Sequence, residues 1–271
     1  MIPKKKLMPW LKWIAIVYIL VGLILYCTQE LFLFQGKKIK ANIPYTFNDM
    51  NYTEQNMTRA DGSILSYVQF MPSDTIPKGI VLYFHGNMGN INRYAPYTRL
   101  FTLNGYKVYM MDYAGFGKST GNITEQGMYT DAMYMYKLAR QTVAANQIIL
   151  YGKSMGTGVA NYIASTQPCG RVILETPYYS LPTVYDDFTW IYPTRYMIRY
   201  QMPSYKYIPL IQAPITIFHG THDALISIAN ASRLKPLLKP TDAFITIPNA
   251  AHNNIVQFPV YTTVMDSLLS M

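Results

Sequence analysis

Residues 150–156 read Leu-Tyr-Gly-Lys-Ser-Met-Gly, and this short stretch narrows the possible folds more than any other. An apolar run at 148–151 enters a serine framed by Gly152 and Gly156, and residues 158–167 then follow a helical pattern. Strand, G-x-S-x-G turn and helix together describe a nucleophile elbow. The glycines are needed because strand and helix approach closely on either side of a strained serine. The turn lifts the Ser154 hydroxyl clear of a sheet and leaves the Met155 amide facing the same space. The spacing therefore predicts an α/β chain with Ser154 as a nucleophile.

A serine hydroxyl needs a base, and the base needs an orienting acid. Two further apolar strand patterns follow, at 214–218 and 243–247. The first runs into His219-Gly-Thr-His-Asp223 and the second into Pro248-Asn-Ala-Ala-His252. Both sit just past the C-terminal ends of expected strands, where open α/β sheets collect their reactive groups. Of the four histidines, His85 precedes the serine, His219 ends a strand and His222 precedes the acid. His252 is left as the base and Asp223 as the acid. Asp242 precedes its strand and belongs to the opposite edge. An oxyanion site requires two amides. Met155 supplies one. The Gly/Asn-rich loop 85–90, following the strand at 79–84, supplies the other through Asn87, with His85 and Gly86 shaping the turn.

The motifs His85-Gly-Asn-x-Gly-Asn90, Asp112-Tyr-x-Gly-Phe-Gly-Lys-Ser119, Gly152-Lys-Ser-Met-Gly156, Glu175-Thr-Pro-Tyr-Tyr-Ser180, His219-Gly-x-x-Asp223 and His252-Asn253 occur in this order. In combination they resemble the membrane-anchored ABHD-type α/β-hydrolases, serine hydrolases related to the prolyl-oligopeptidase and S33 peptidase groups. The resemblance covers residues 60–271. It implies Ser154, Asp223 and His252 as a catalytic triad, the Asn87 and Met155 amides as oxyanion hole, and no cofactor. Ala114 and Thr157 depart from the pattern, where an arginine and a second glycine are common.

The chain has 271 residues, half of them hydrophobic, enough for one α/β domain and an anchor. The paired-cysteine and His-Glu-x-x-His patterns of metal sites are absent from the sequence, as are phosphate-loop and dinucleotide fingerprints. Cys27 and Cys169 are not expected to meet. The net charge of +9 is concentrated first at Lys4, Lys5, Lys6 and Lys12, then at Lys37, Lys38 and Lys40. These flank the apolar run 13–27, so the basic residues point to a membrane and not to nucleic acid. Extended back to Leu7, with Lys12 snorkelling, the run spans a bilayer. It lacks an A-x-A-like cleavage site, so an uncleaved signal anchor is expected. The nearer N-terminal lysines favour a catalytic domain on the non-cytoplasmic side.

The expected organisation is therefore a basic segment and transmembrane anchor over 1–34, a linker or first edge strand over 35–60, and an α/β-hydrolase domain over 61–271. A mostly parallel sheet carries helices on both faces. Further elements are expected as a strand at 64–70, a helix at 91–103, a strand at 106–111, a helix at 124–144 and a strand at 171–174. Residues 177–210, rich in Tyr, Pro and Trp, interrupt the rhythm as a short cap. The expected activity is that of a membrane-anchored esterase, thioesterase or amidase on a small-molecule or lipid-like acyl substrate. A serine peptidase and a catalytically silent binding protein are the alternatives. No triad residue falls within 1–34, so a chain lacking that segment is expected to leave the membrane and still to hydrolyse a small soluble ester.

Overall fold

A computed structural model of the chain describes residues 9–73, 76–186, 189 and 191–270. The N-terminal lysines Lys4, Lys5 and Lys6, and Trp190 of the cap, lie outside the described residues. Eight strands form the main sheet: β1 (Asn51–Thr58), β2 (Ile64–Met71), β3 (Gly79–Phe84), β4 (Tyr106–Met111), β5 (Ile148–Lys153), β6 (Arg171–Glu175), β7 (Ile215–Gly220) and β8 (Ala243–Ile247). Their order is β8-β7-β6-β5-β3-β4-β2-β1. Six run parallel, from β4 through β8, and the β1–β2 hairpin adds two antiparallel strands at one edge. Residues 51–58 are thus an edge strand of this sheet.

Strands β3, β5 and β7 are buried along their whole length, as a parallel sheet covered on both faces requires. Alternation divides their side chains between two cores. Ile80, Leu82, Phe84, Ile148 and Leu150 face one layer, whereas Val81, Tyr83, Ile149 and Tyr151 face the other. Helices α2 (Glu125–Arg140) and α3 (Gly156–Thr166) cover the first side, and α5 (Pro259–Leu269) helps to cover the second. Thr124 caps α2 by accepting from the Gly127 amide, and the helix stops at Arg140, before the 144 expected from sequence.

The helix expected over 91–103 is broken. It forms Ile91–Tyr94, a 3-10 turn at Ala95–Thr98 and then Arg99–Leu103. Pro96, which has no amide hydrogen to donate, stands at the start of the tight turn. The insertion after β6 contains α4 (Leu181–Asp186) and the short helices Thr194–Met197 and Ser204–Tyr207.

Helix α1 (Pro9–Leu33) stands apart in composition. Within its 24-residue stretch Trp10–Leu33, an 18-residue window has a mean hydropathy of 2.1. At ~1.5 Å per residue such a helix extends about 36 Å, against a ~30 Å hydrocarbon core. It is the one helix among the described residues long and apolar enough to cross a membrane. Trp13, Ile14, Val17, Ile19, Leu20, Leu23 and Ile24 are exposed along it.

Candidate active site

Ser154 follows β5 directly and has φ of +51°, in the left-handed region that side chains avoid. Its amide donates to the Glu175 carbonyl at 2.8 Å, fixing the turn to the end of β6. A Cβ on Gly152 would lie 2.6 Å from the Gly156 carbonyl oxygen, and one on Gly156 would meet the Phe84 carbonyl. The two glycines are therefore demanded by close backbone approach. Thr157, the departure from the family pattern, donates its hydroxyl to the Ser154 carbonyl at 2.6 Å and adds to the hold on the turn.

Asp223 and His252 arrive from the ends of β7 and β8. His252 Nδ1 lies 2.8 Å from Asp223 Oδ2, and His252 Nε2 lies 2.9 Å from Ser154 Oγ. With the Nδ1–H donated to Asp223, Nε2 is the acceptor for the serine hydroxyl. All three residues are buried. Burial alone would raise the Asp223 carboxyl. The bond from His252 and the Ile226 amide outweigh it and hold the carboxyl below its usual range. The second oxygen, Oδ1, accepts from the Leu225 and Ile226 amides at 2.9 and 2.8 Å. The carboxylate is thus fixed at both oxygens.

The remaining histidines separate by position. His222 is exposed. His219 is fully buried and its Nε2 contacts the Ile226 carbonyl at 2.9 Å, with Asp223 Oδ2 at 3.5 Å. Burial pushes its pKa down, so it stays neutral and packs behind the acid. His85 lies beneath the 85–90 loop, stacked on Tyr94 with ring centroids 5.0 Å apart. Asp242 sits at the opposite edge, where it accepts from the Ile215 amide at the start of β7.

A small cavity of about 40 Å³ opens at Ser154, walled by Asn87, Met155, Tyr178, Leu181, Ile226 and Leu33 among others. Asn87 and Met155 thus border the space in front of the serine. Neither backbone N–H has a protein acceptor among the described residues. These amides can donate to a developing oxyanion without first giving up a bond. The Asn87 side chain is committed elsewhere: Nδ2 donates to the Leu33 carbonyl at 3.0 Å.

That last bond ties the 1–34 segment to the site, although that segment holds no triad residue. Leu33, at the end of α1, is 4% exposed and walls the Ser154 cavity. Gln35–Gly36 then pairs in parallel with Met88–Gly89, and the Gln35 amide donates to the Asn87 carbonyl at 2.8 Å. The loop beside the serine is clamped by the chain that leaves the apolar helix. Sequence periodicity carries no trace of this pairing, because two-residue strands have no alternation to read.

A second feature absent from the sequence reading is the buried polar set behind the elbow. Lys153 and Tyr151 both donate to the Glu175 carboxylate, and Tyr151 Oη lies 3.0 Å from Tyr261 Oη. Under the 85–90 loop, Asp112 accepts from the Tyr45 hydroxyl at 2.5 Å and from the Ile91 amide at 3.0 Å. Asp112 and Glu175 stand in the quoted motifs, yet only the fold reveals what they hold. Among the described residues, His, Cys, Asp and Glu form no metal-binding cluster.

Residues 75–205 match the serine aminopeptidase, S33 family. The chain is 26% identical over 231 residues to the uncharacterized protein YfhR of Escherichia coli K12, covering 82% of this chain and 78% of that protein. It is 29% identical over 195 residues to alpha/beta hydrolase domain-containing protein 17C of Xenopus tropicalis, covering 70% and 61%. Among solved structures, the esterase Pf2001 of Pyrococcus furiosus is similar with a TM-score of 0.67 at 19% identity, covering 88% of this chain and 97% of that one. Est1E of Butyrivibrio proteoclasticus, solved with ferulic acid, gives 0.63 at 16% identity, covering 79% and 97%.

Proposed function

We propose that this chain, which has the α/β-hydrolase fold, is a membrane-anchored serine hydrolase cleaving an ester, thioester or amide through an acyl-enzyme on Ser154. The observation that carries the reading is the unbroken relay from Asp223 to His252 to Ser154, at 2.8 and 2.9 Å. Ser154 Oγ attacks the acyl carbonyl while its proton passes to His252 Nε2. Negative charge grows on the carbonyl oxygen, toward the Asn87 and Met155 amides. Asp223 keeps the imidazole in the tautomer that accepts at Nε2 and stabilises the imidazolium. The proton then moves to the leaving oxygen, sulfur or nitrogen as its bond to the acyl carbon breaks. Water, deprotonated by His252, releases the acid and restores Ser154.

Anchoring is supported by the length and apolarity of α1 and by its exposed Ile, Leu and Val side chains. Retention of that helix, as opposed to its loss as a signal sequence, is supported by its bonds to the folded domain. The test is labelling by a fluorophosphonate probe, with the modified peptide identified. Modification at Ser154, lost in Ser154→Ala, is expected. An active protein modified elsewhere sinks the assignment.

A further inference from the structure

Helix α1 does not leave the domain after its last turn but lies against the cap. Tyr18 stacks on Tyr192 with ring centroids 4.6 Å apart and donates to the Ile191 carbonyl at 2.8 Å. About three turns further along the helix, Gln29 donates to the Met197 carbonyl and accepts from the Arg199 amide, and Glu30 pairs with Arg199 at 3.0 Å. Contact thus runs from Tyr18 to Leu33. The exposed stretch 10–17 precedes these contacts and spans about 12 Å of helix at ~1.5 Å per residue. That is under half of a ~30 Å hydrocarbon core. A helix embedded in a bilayer along its apolar length therefore carries the adjoining cap surface into the membrane with it, including exposed Ile191 and Tyr196.

Between α1 and the cap lies a cavity of about 260 Å³, walled by Leu25, Phe32, Tyr192, Met197 and Ile198 and by Leu33 and Tyr185. Leu33 and Tyr185 also wall the Ser154 cavity, so the two spaces share these side chains as a partition. The polar groups at the rim are spent on the protein. Gln29 is bonded to the cap, Thr189 donates to the Tyr185 carbonyl at 2.8 Å, and Thr194 donates to Asp186. Among the described lining residues this leaves the Tyr26 and Tyr185 hydroxyls as the polar groups at the wall, and the rest of it is apolar.

We propose that this groove is an acyl-chain site. The hydrocarbon tail of the substrate lies between α1 and the cap, entering from the bilayer, and its carbonyl passes the Leu33–Tyr185 partition to reach Ser154. The inference rests on the acyl-enzyme reading and adds the substrate class: an ester or thioester of a long unbranched acyl chain. From Leu25 to Leu33 the helix advances about 12 Å. At ~3.8 Å for every three backbone bonds, this accommodates about nine bonds of an extended chain.

The test uses full-length protein in phosphatidylcholine vesicles and a dodecyl fluorophosphonate with a diazirine at the chain end. Ser154 Oγ displaces fluoride from phosphorus and tethers the probe, and light then inserts the chain end into its neighbours. Crosslinks within residues 25–33, or to Tyr185, Thr189, Tyr192, Met197 or Ile198, are expected. Tethering at Ser154 with crosslinks confined to other segments overturns the groove and leaves the serine hydrolase reading standing. Absence of tethering overturns both. As a second measure, Ile198→Trp should lower the ratio of kcat/KM for p-nitrophenyl laurate over butyrate by about tenfold, because several methylenes lose their burial. An unchanged ratio in this variant also overturns the proposal.

Discussion

The Leu33 carbonyl accepts a hydrogen bond from the side chain of Asn87, 54 residues later in the chain, at 3.0 Å. This bond joins the last turn of the apolar helix to the loop that borders Ser154. The apolar helix and the Ser154 site are therefore mechanically one object. Removing residues 1–34 takes away the acceptor and one wall of the serine cavity. The truncated protein should retain under about a tenth of full-length kcat/KM on p-nitrophenyl butyrate, as expected when a positioning element of an active site shifts by an ångström. Deleting only 1–8 should be neutral. Equal activity of the 1–34 deletion and the full chain would show the clamp to be dispensable.

Asn87→Ala isolates the bond. The backbone amide remains, so the oxyanion donor is kept, while the Leu33 carbonyl loses its partner. This partly buried hydrogen bond contributes ~1 kcal/mol, and where that energy positions the loop in the transition state its loss lowers kcat about fivefold. A fall of about a thousandfold would mean the side chain itself touches the reacting atoms.

Ser154→Ala should abolish fluorophosphonate labelling and reduce kcat by about 10⁴-fold or more, with the fold retained. His252→Ala should be nearly as damaging, and the double variant no worse than either, because the two residues act as one unit. Asp223→Asn should lie between these and wild type. His222→Ala, at an exposed position outside the relay, should stay within about twofold of wild type, as surface substitutions usually do. Side-by-side kcat values decide the matter: an inactive His222 variant beside an active His252 variant would reassign the base.

His219 titrates against stability. Burial lowers its pKa from 6.5, so the unfolded chain binds this proton more readily than the folded one. The stability gained by keeping the ring neutral is complete above pH 6.5 and declines as pH falls below it toward the folded value. Asp223, also depressed, contributes in the same direction but only in more acidic solution, below its ordinary value of 3.8. Urea unfolding of wild type and His219→Gln between pH 7.5 and about 5 should reveal a shallower pH slope in the variant. Parallel slopes would rule out His219 as the titrating group.

Lys153 and Glu175 form a buried ion pair beside the elbow, with side chains 4% and 1% exposed. Lys153→Met leaves the carboxylate without its counter-charge and should cost about 3–5 kcal/mol in denaturant unfolding. The double variant Lys153→Met/Glu175→Gln should recover part of that loss, since no uncompensated charge remains. A single variant as stable as wild type would contradict the pair's burial.

The elbow was legible in the sequence because its determinants are neighbours: a strand run, two glycines and a helix within twenty residues. The strand ends carrying Asp223 and His252 were legible for the same reason, and the order of elements followed from alternating strand and helix patterns. The break at Pro96 marks where a periodicity reading overran a backbone constraint. What the tertiary structure alone decided is distance. It brings His252 within 2.9 Å of a serine 98 residues away, and Tyr18 against Ile191 across 173 residues. Apolar composition established that α1 must bury or embed its surface, but not which face meets protein. That choice depends on the shape of the cap and on a few polar groups, Gln29 and Glu30 foremost, whose partners at Met197 and Arg199 are assembled only once the sheet has set the cap in position.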